Sequence, residues 1–133
     1  MTNAMEDATI FVVDDDPALL RGLDIALQGR GYAVRTAPSG RALLDLLETE
    51  RPDLLVMDVM MPGMSGLEVL KRLRSDARWA ELPVMMVTAY PHADVKEEAW
   101  QGGAGEVVPK PFRLEELLER IERRLGRRGE AEG

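Results

Sequence analysis

The sequence predicts an α/β domain in which five parallel strands form one sheet, in the order 2-1-3-4-5, with five helices on its two faces. Three observations carry that expectation. Short apolar runs rich in β-branched residues alternate with longer amphipathic stretches. The first, third and fourth runs are apolar almost throughout, as strands buried on both faces of a parallel sheet are. Polar groups then close the runs: Asp14 and Asp15 after the first, Asp58 after the third, Thr88 after the fourth and Lys110 after the fifth.

The first strand is expected over 9–13, where Ile10-Phe11-Val12-Val13 is uninterrupted. Pro17 suits the first turn of a helix over 17–30, because a helix start leaves that N–H unpaired anyway, and Asp16 is placed to cap it. Gly31 follows that helix, and a second strand is expected over 32–36. Ser39 can cap a helix over 39–50. A third strand over 53–57 runs into Asp58, after which the chain turns through Pro62 and Gly63 to a helix over 66–76. A fourth strand is expected over 83–87, a helix over 92–101 and a fifth strand over 106–108. Pro109 has no N–H to give a sheet, so it fits only an edge or a strand end. The last helix, over 113–125, carries Leu114, Leu117, Leu118, Ile121 and Leu125 as an apolar stripe for core packing. The second and fifth runs are the more polar, as edge strands are, and this selects the flavodoxin-like order among doubly wound sheets.

Size and composition set further bounds. A chain of 133 residues, 45% hydrophobic and 31% charged, suits a single globular domain with its own core. The expected division is an N-terminal segment over 1–8 that is at most partly ordered, the domain over 9–125, and a polar tail or linker stub over 126–133. With no cysteine, thiolate metal sites and cysteine nucleophiles are excluded. A net charge of −7 argues against direct nucleic-acid binding, which calls for a basic face. Neither a membrane-spanning run nor a signal-peptide pattern is legible, so the expected location is the cytoplasm.

In the predicted strand order the carboxyl ends of the first, third, fourth and fifth strands lie side by side. That brings Asp14, Asp15, Asp58, Thr88 and Lys110 into the crevice where open α/β sheets bind their ligands. Acids gathered there repel one another unless a cation joins them, and an oxygen-only set suits Mg2+ with retained waters. A lysine beside such a metal makes sense if a second anion, such as a phosphoryl group, is held opposite it. A carboxylate on the sharp turn after the third strand can act as a nucleophile toward phosphorus.

The segments Val12-Val13-Asp14-Asp15-Asp16-Pro17, Asp58-Val59-Met60-Met61-Pro62-Gly63-Met64-Ser65-Gly66, Thr88-Ala89 and Lys110-Pro111-Phe112 resemble the receiver domain of bacterial two-component response regulators. The resemblance extends over about 9–125 and implies a phosphorylation-activated switch, with a histidine kinase as phosphoryl donor and a downstream protein or linked output domain as partner. It implies that Asp58 is the phosphoacceptor. Asp14, Asp15, Asp58 and the backbone carbonyl of Met60 would hold Mg2+, Thr88 would be the switch hydroxyl, and Lys110 would pair with Asp58 and then with its phosphoryl group. It implies a cis bond between Lys110 and Pro111. Limited self-catalysed phosphoryl transfer and hydrolysis would accompany the switch, without a metabolic enzyme's turnover.

The chain departs from the family at one signalling position. Where most receivers carry Tyr or Phe on the fifth strand, this chain has Val107, whose stiff side chain has no ring to swing. The stretch Gly102-Gly103-Ala104-Gly105 is expected to loosen the end of the fourth helix. Tyr90 and Met60 are placed to modulate water access to an acyl phosphate, His92 reads as a surface residue, and Trp79 and Trp100 read as packing anchors. Two other functions are compatible with parts of the pattern. One is a Mg2+-dependent phosphohydrolase with Asp58 as nucleophile, which would need an acid/base group and a cap. The other is an interaction module that is never phosphorylated, which the complete set of acids, Thr88 and Lys110 argues against.

Overall fold

The computed structural model of the protein describes residues 8–89 and 92–126. In chain order the elements are β1 (Thr9–Val13), α1 (Pro17–Gly29), β2 (Ala33–Ala37), α2 (Gly40–Leu47), β3 (Leu54–Asp58), α3 (Gly66–Arg74), β4 (Val84–Thr88), α4 (Ala93–Gln101), β5 (Glu106–Pro109) and α5 (Leu114–Arg124). The strands form one parallel sheet in the order β2-β1-β3-β4-β5, as expected. The expected ends, 1–8 and 126–133, fall outside the described residues apart from Ala8 and Gly126. Ala8 is buried, and its carbonyl accepts the Ala33 N–H at 2.9 Å.

Strand residues alternate between two cores because successive side chains point to opposite faces. Ile10, Val12, Leu54, Val56, Met85, Val87 and Val108 face α1 and α5, whose Leu20, Leu23, Leu27, Leu117, Leu118 and Ile121 complete that core. Phe11, Val13, Leu55, Met57, Val84 and Met86 face the other way, against Leu43 and Leu47 of α2 and Val69, Leu70 and Leu73 of α3. Leu27, Leu43 and Leu117 are wholly buried, and truncating any one of them to alanine costs about 2–5 kcal/mol.

The helix starts follow the capping chemistry of the sequence. The Asp16 carboxylate accepts the N–H groups of Ala18 and Leu19, and the Ser39 hydroxyl accepts that of Ala42. Ser65 and Glu68 cap α3 reciprocally, each side chain accepting the other residue's N–H. β2, β3 and β4 begin one residue later than expected. α2 ends at Leu47 because the chain tightens there, Glu48 N–H bonding to the Asp45 carbonyl and Thr49 N–H to that of Leu46.

Two expectations about single side chains need correction. Trp100 is 52% exposed rather than a packing anchor: α4 buries Ala99, and the next residue points about 100° further round the helix. The α5 stripe is buried only at Leu117, Leu118 and Ile121, while Leu114 at the helix start is exposed. Trp79 is a packing anchor as expected, buried with the guanidinium of Arg51 4.7 Å from its ring centre and that of Arg78 5.7 Å away. No helix among the described residues is long and apolar enough to cross a membrane.

Candidate functional site

Sheet register brings the site together. Val13 of β1 pairs with Met57 of β3, so Asp14 and Asp58, each one residue further on, emerge side by side. Asp58 in turn pairs with Val87, which precedes Thr88, and Thr88 pairs with Pro109, which precedes Lys110. The Lys110 N–H closes this corner on the Thr88 carbonyl at 2.7 Å. Thr88 is fully buried, and Lys110-Pro111 is a cis peptide, as the resemblance implied.

Asp14 and Asp58 are buried, at 3% and 5% exposure, whereas Asp15 is exposed. The Asp16 N–H donates to Asp14 Oδ1 at 2.9 Å, and the Met60 N–H donates to Asp58 Oδ1 at 3.3 Å. Lys110 Nζ spans the two buried acids, 2.8 Å from Asp14 Oδ2 and 3.4 Å from Asp58 Oδ2. The expected pairing of Lys110 with Asp58 is therefore present, but the shorter contact is to Asp14.

Burial pushes the Asp58 carboxyl above the usual carboxylate range, and the neighbouring Asp14 charge pushes it further. Lys110 and the Met60 N–H pull the other way without cancelling this. For Lys110, burial disfavours the ammonium, but the hydrogen bond to Asp14 and the charges of Asp58 and Asp14 outweigh it, so its pKa lies above the ordinary lysine value. One ammonium among three carboxylates leaves the corner negative.

That deficit fits a small divalent cation. Asp14, Asp15 and Asp58 each offer a carboxylate oxygen, all within 4.8 Å of one another. Such an oxygen-only set at one corner is what a hard cation such as Mg2+ would take, with waters completing its shell.

Gly66 shapes the site in a way that sequence reasoning missed. Its N–H bonds to the Val59 carbonyl at 2.7 Å, and a Cβ there would overlap the Asp58 carbonyl oxygen. Only glycine lets α3 begin directly beneath the acid. The available signal was a glycine placed immediately after Ser65, at the start of an amphipathic helix. Leu19 was also missed; with Asp16, Ala89, Lys110, Pro111 and Phe112 it lines an open cleft of about 360 Å³ beside the acids.

The remaining candidates are placed as follows. The Met60 side chain is 52% exposed while its N–H holds Asp58. Val107 is half-buried against the core shared with α3 and α4, and His92 is exposed. Tyr90 lies outside the described residues.

Comparison with known proteins agrees with this geometry. Residues 10–122 match the family described as the response regulator receiver domain. Response regulator MprA of Mycolicibacterium vanbaalenii is 44% identical over 118 residues, which are 89% of this chain and 50% of that protein. The protein of the same name from Mycobacterium avium is 44% identical over 118 residues, covering 89% of this chain and 51% of its own. This chain thus spans about half the length of these curated relatives. Among solved structures, the chemotaxis protein CheY4 of Vibrio cholerae superposes with a TM-score of 0.83 at 33% identity, covering 88% of this chain and 98% of its own. A CheY-like receiver domain protein of Methanospirillum hungatei reaches a TM-score of 0.85 at 30% identity, covering 96% of this chain and 99% of its own. With its sheet order, its acidic corner and a family match from Ile10 to Glu122, the chain belongs to the response regulator receiver domain family.

Proposed function

We propose that Asp58 accepts a phosphoryl group from the phosphohistidine of a sensor kinase in the cytoplasm, and that the resulting acyl phosphate alters how the domain engages a downstream protein or a linked output domain. The observation that carries this reading is the joining of three carboxylates and Lys110 at one corner of the sheet. An Asp58 oxygen attacks phosphorus, the P–N bond breaks, and its electron pair returns to the imidazole. Mg2+, when bound by Asp14, Asp15, Asp58 and the Met60 carbonyl, would draw negative charge from the phosphoryl oxygens.

Lys110 follows the charge. Its ammonium already bridges Asp14 and Asp58, and a phosphoryl group on Asp58 gives it a stronger anion within reach. Thr88, on the neighbouring strand end, supplies a hydroxyl to a further phosphoryl oxygen. Water attack on the acyl phosphate returns Asp58 and releases inorganic phosphate, so the same corner resets the switch. Intact-mass measurement with acetyl phosphate and Mg2+ tests the reading. One added phosphoryl group, absent when EDTA replaces Mg2+, is expected. A mass unchanged by acetyl phosphate under both conditions refutes it.

A further inference from the structure

Two of the three acids of the corner, Asp14 and Asp15, lie on the short loop between β1 and α1, and that loop is pinned at each end. The Asp14 N–H donates to the Ala37 carbonyl at the end of β2 at 3.2 Å. At the other end the Leu20 N–H of α1 donates to the Asp16 carbonyl at 3.1 Å. Between these bonds stand the buried Asp14 and the exposed Asp15. A metal site binds well only when its ligands are held in place by the groups behind them.

Asp16 supplies that hold through two different atoms. Its backbone N–H donates to Asp14 Oδ1 at 2.9 Å, while Lys110 Nζ lies 2.8 Å from Asp14 Oδ2, so both oxygens of that carboxylate are engaged. Its side chain serves the helix instead: Oδ1 accepts the Ala18 N–H at 3.0 Å and the Leu19 N–H at 3.5 Å. Pro17, at the first helical position, has no N–H to offer, so the cap bonds fall on the next two residues.

One residue thus joins the first turn of α1 to a ligand of the acidic corner. The side chain fixes the Asp16 backbone, and the backbone N–H fixes the Asp14 carboxylate. Asp16 itself stands outside the set, since the carboxylate oxygens that gather within 4.8 Å of one another belong to Asp14, Asp15 and Asp58.

We propose that Asp16 is a positioning residue of the metal site, its side-chain cap on α1 fixing the loop so that Asp14 and Asp15 stand ready for Mg2+. The inference rests on Mg2+ being held by Asp14, Asp15 and Asp58. Groups that orient metal ligands without touching the ion set affinity by about 10–100-fold. The capping oxygen carries the effect rather than the charge, and asparagine caps a helix about as well as aspartate, whereas alanine does not.

Titration of the whole chain with Mg2+, followed by amide NMR well below the melting temperature, tests this. Asp16→Asn loses the charge and keeps a capping oxygen, while Asp16→Ala loses both, so the ratio of their affinities isolates the cap. The dissociation constant of Asp16→Ala is expected about tenfold above that of Asp16→Asn, with Asp16→Asn within about threefold of the unmodified protein. Asp16→Ser, which restores a capping hydroxyl, should recover most of the loss. Asp16→Gly serves if the alanine variant does not fold, because glycine is tolerated at a helix start without a side-chain bond. Equal Mg2+ affinities for Asp16→Asn and Asp16→Ala, with a lower melting temperature in EDTA for the alanine variant, would leave Asp16 a helix cap and overturn the inference. No Mg2+ binding by the unmodified protein would instead overturn the metal reading and the inference with it.

Discussion

Lys110 Nζ lies 2.8 Å from Asp14 Oδ2 and 3.4 Å from Asp58 Oδ2, so the lysine leans toward Asp14. Both acids are buried, and the ammonium lessens a repulsion that water cannot screen. The same electrostatics make Lys110 and a divalent cation alternative ways of neutralising the corner.

Lys110→Ala should therefore destabilise the metal-free protein by roughly 3 kcal/mol, because it leaves two buried carboxylates facing each other without a counter-charge. Mg2+ should recover part of that loss. Urea titrations with EDTA and with Mg2+ measure both effects, and equal losses under the two conditions would contradict the shared-charge account.

Asp58 gives a pH dependence of definite sign. Burial and Asp14 raise its pKa in the folded state above the ordinary 3.8. The folded state then holds this proton more tightly than the unfolded state, so ionised Asp58 costs stability above that value. The cost is relieved as pH falls through the raised folded value. In EDTA, Asp58→Asn should be more stable than the unmodified protein at neutral pH by on the order of 1 kcal/mol. The advantage should vanish near about pH 3, where both states are protonated. A difference that grows on acidification would contradict the assigned cause.

Gly66→Ala tests the close approach of α3 to the end of β3. The new methyl overlaps the Asp58 carbonyl and also crowds Met86 Cε and Val59 Cα, each 3.0 Å away. Overpacking of this kind should cost about 2–3 kcal/mol, and the displaced Asp58 should slow phosphorylation by acetyl phosphate at least about tenfold. Thermal melting and phosphorylation rates read the two effects separately. Unchanged values for both would contradict the local geometry.

The sheet order was legible because buried parallel strands are written as apolar runs, and edge strands as broken ones. The acidic corner was legible for a related reason: Asp14, Asp58, Thr88 and Lys110 each stand where such a run stops. What could not be read was which acid Lys110 prefers, since a difference of 0.6 Å depends on the turn that lifts Lys110 past Pro109. The bonds that Arg74 of α3 donates to the carbonyls of Gly102, Gly103 and Trp79 were equally hidden. Its partners are backbone carbonyls, which every residue carries, so an arginine on an amphipathic helix reads as solvated charge. The glycines of 102–105 were visible, but not that Gly103 and Gly105 leave room for Arg74 and Arg124, because space for a guanidinium looks the same in sequence as freedom to move.

The most direct test of the central claim is to locate the acyl phosphate itself. After treatment with acetyl phosphate and Mg2+, borohydride reduces an aspartyl phosphate to homoserine, and peptide sequencing by mass spectrometry identifies the residue converted. The account predicts homoserine at position 58, with Asp14 and Asp15 intact. Conversion at Asp14 or Asp15, or none at position 58 in protein that has gained a phosphoryl group, would contradict it.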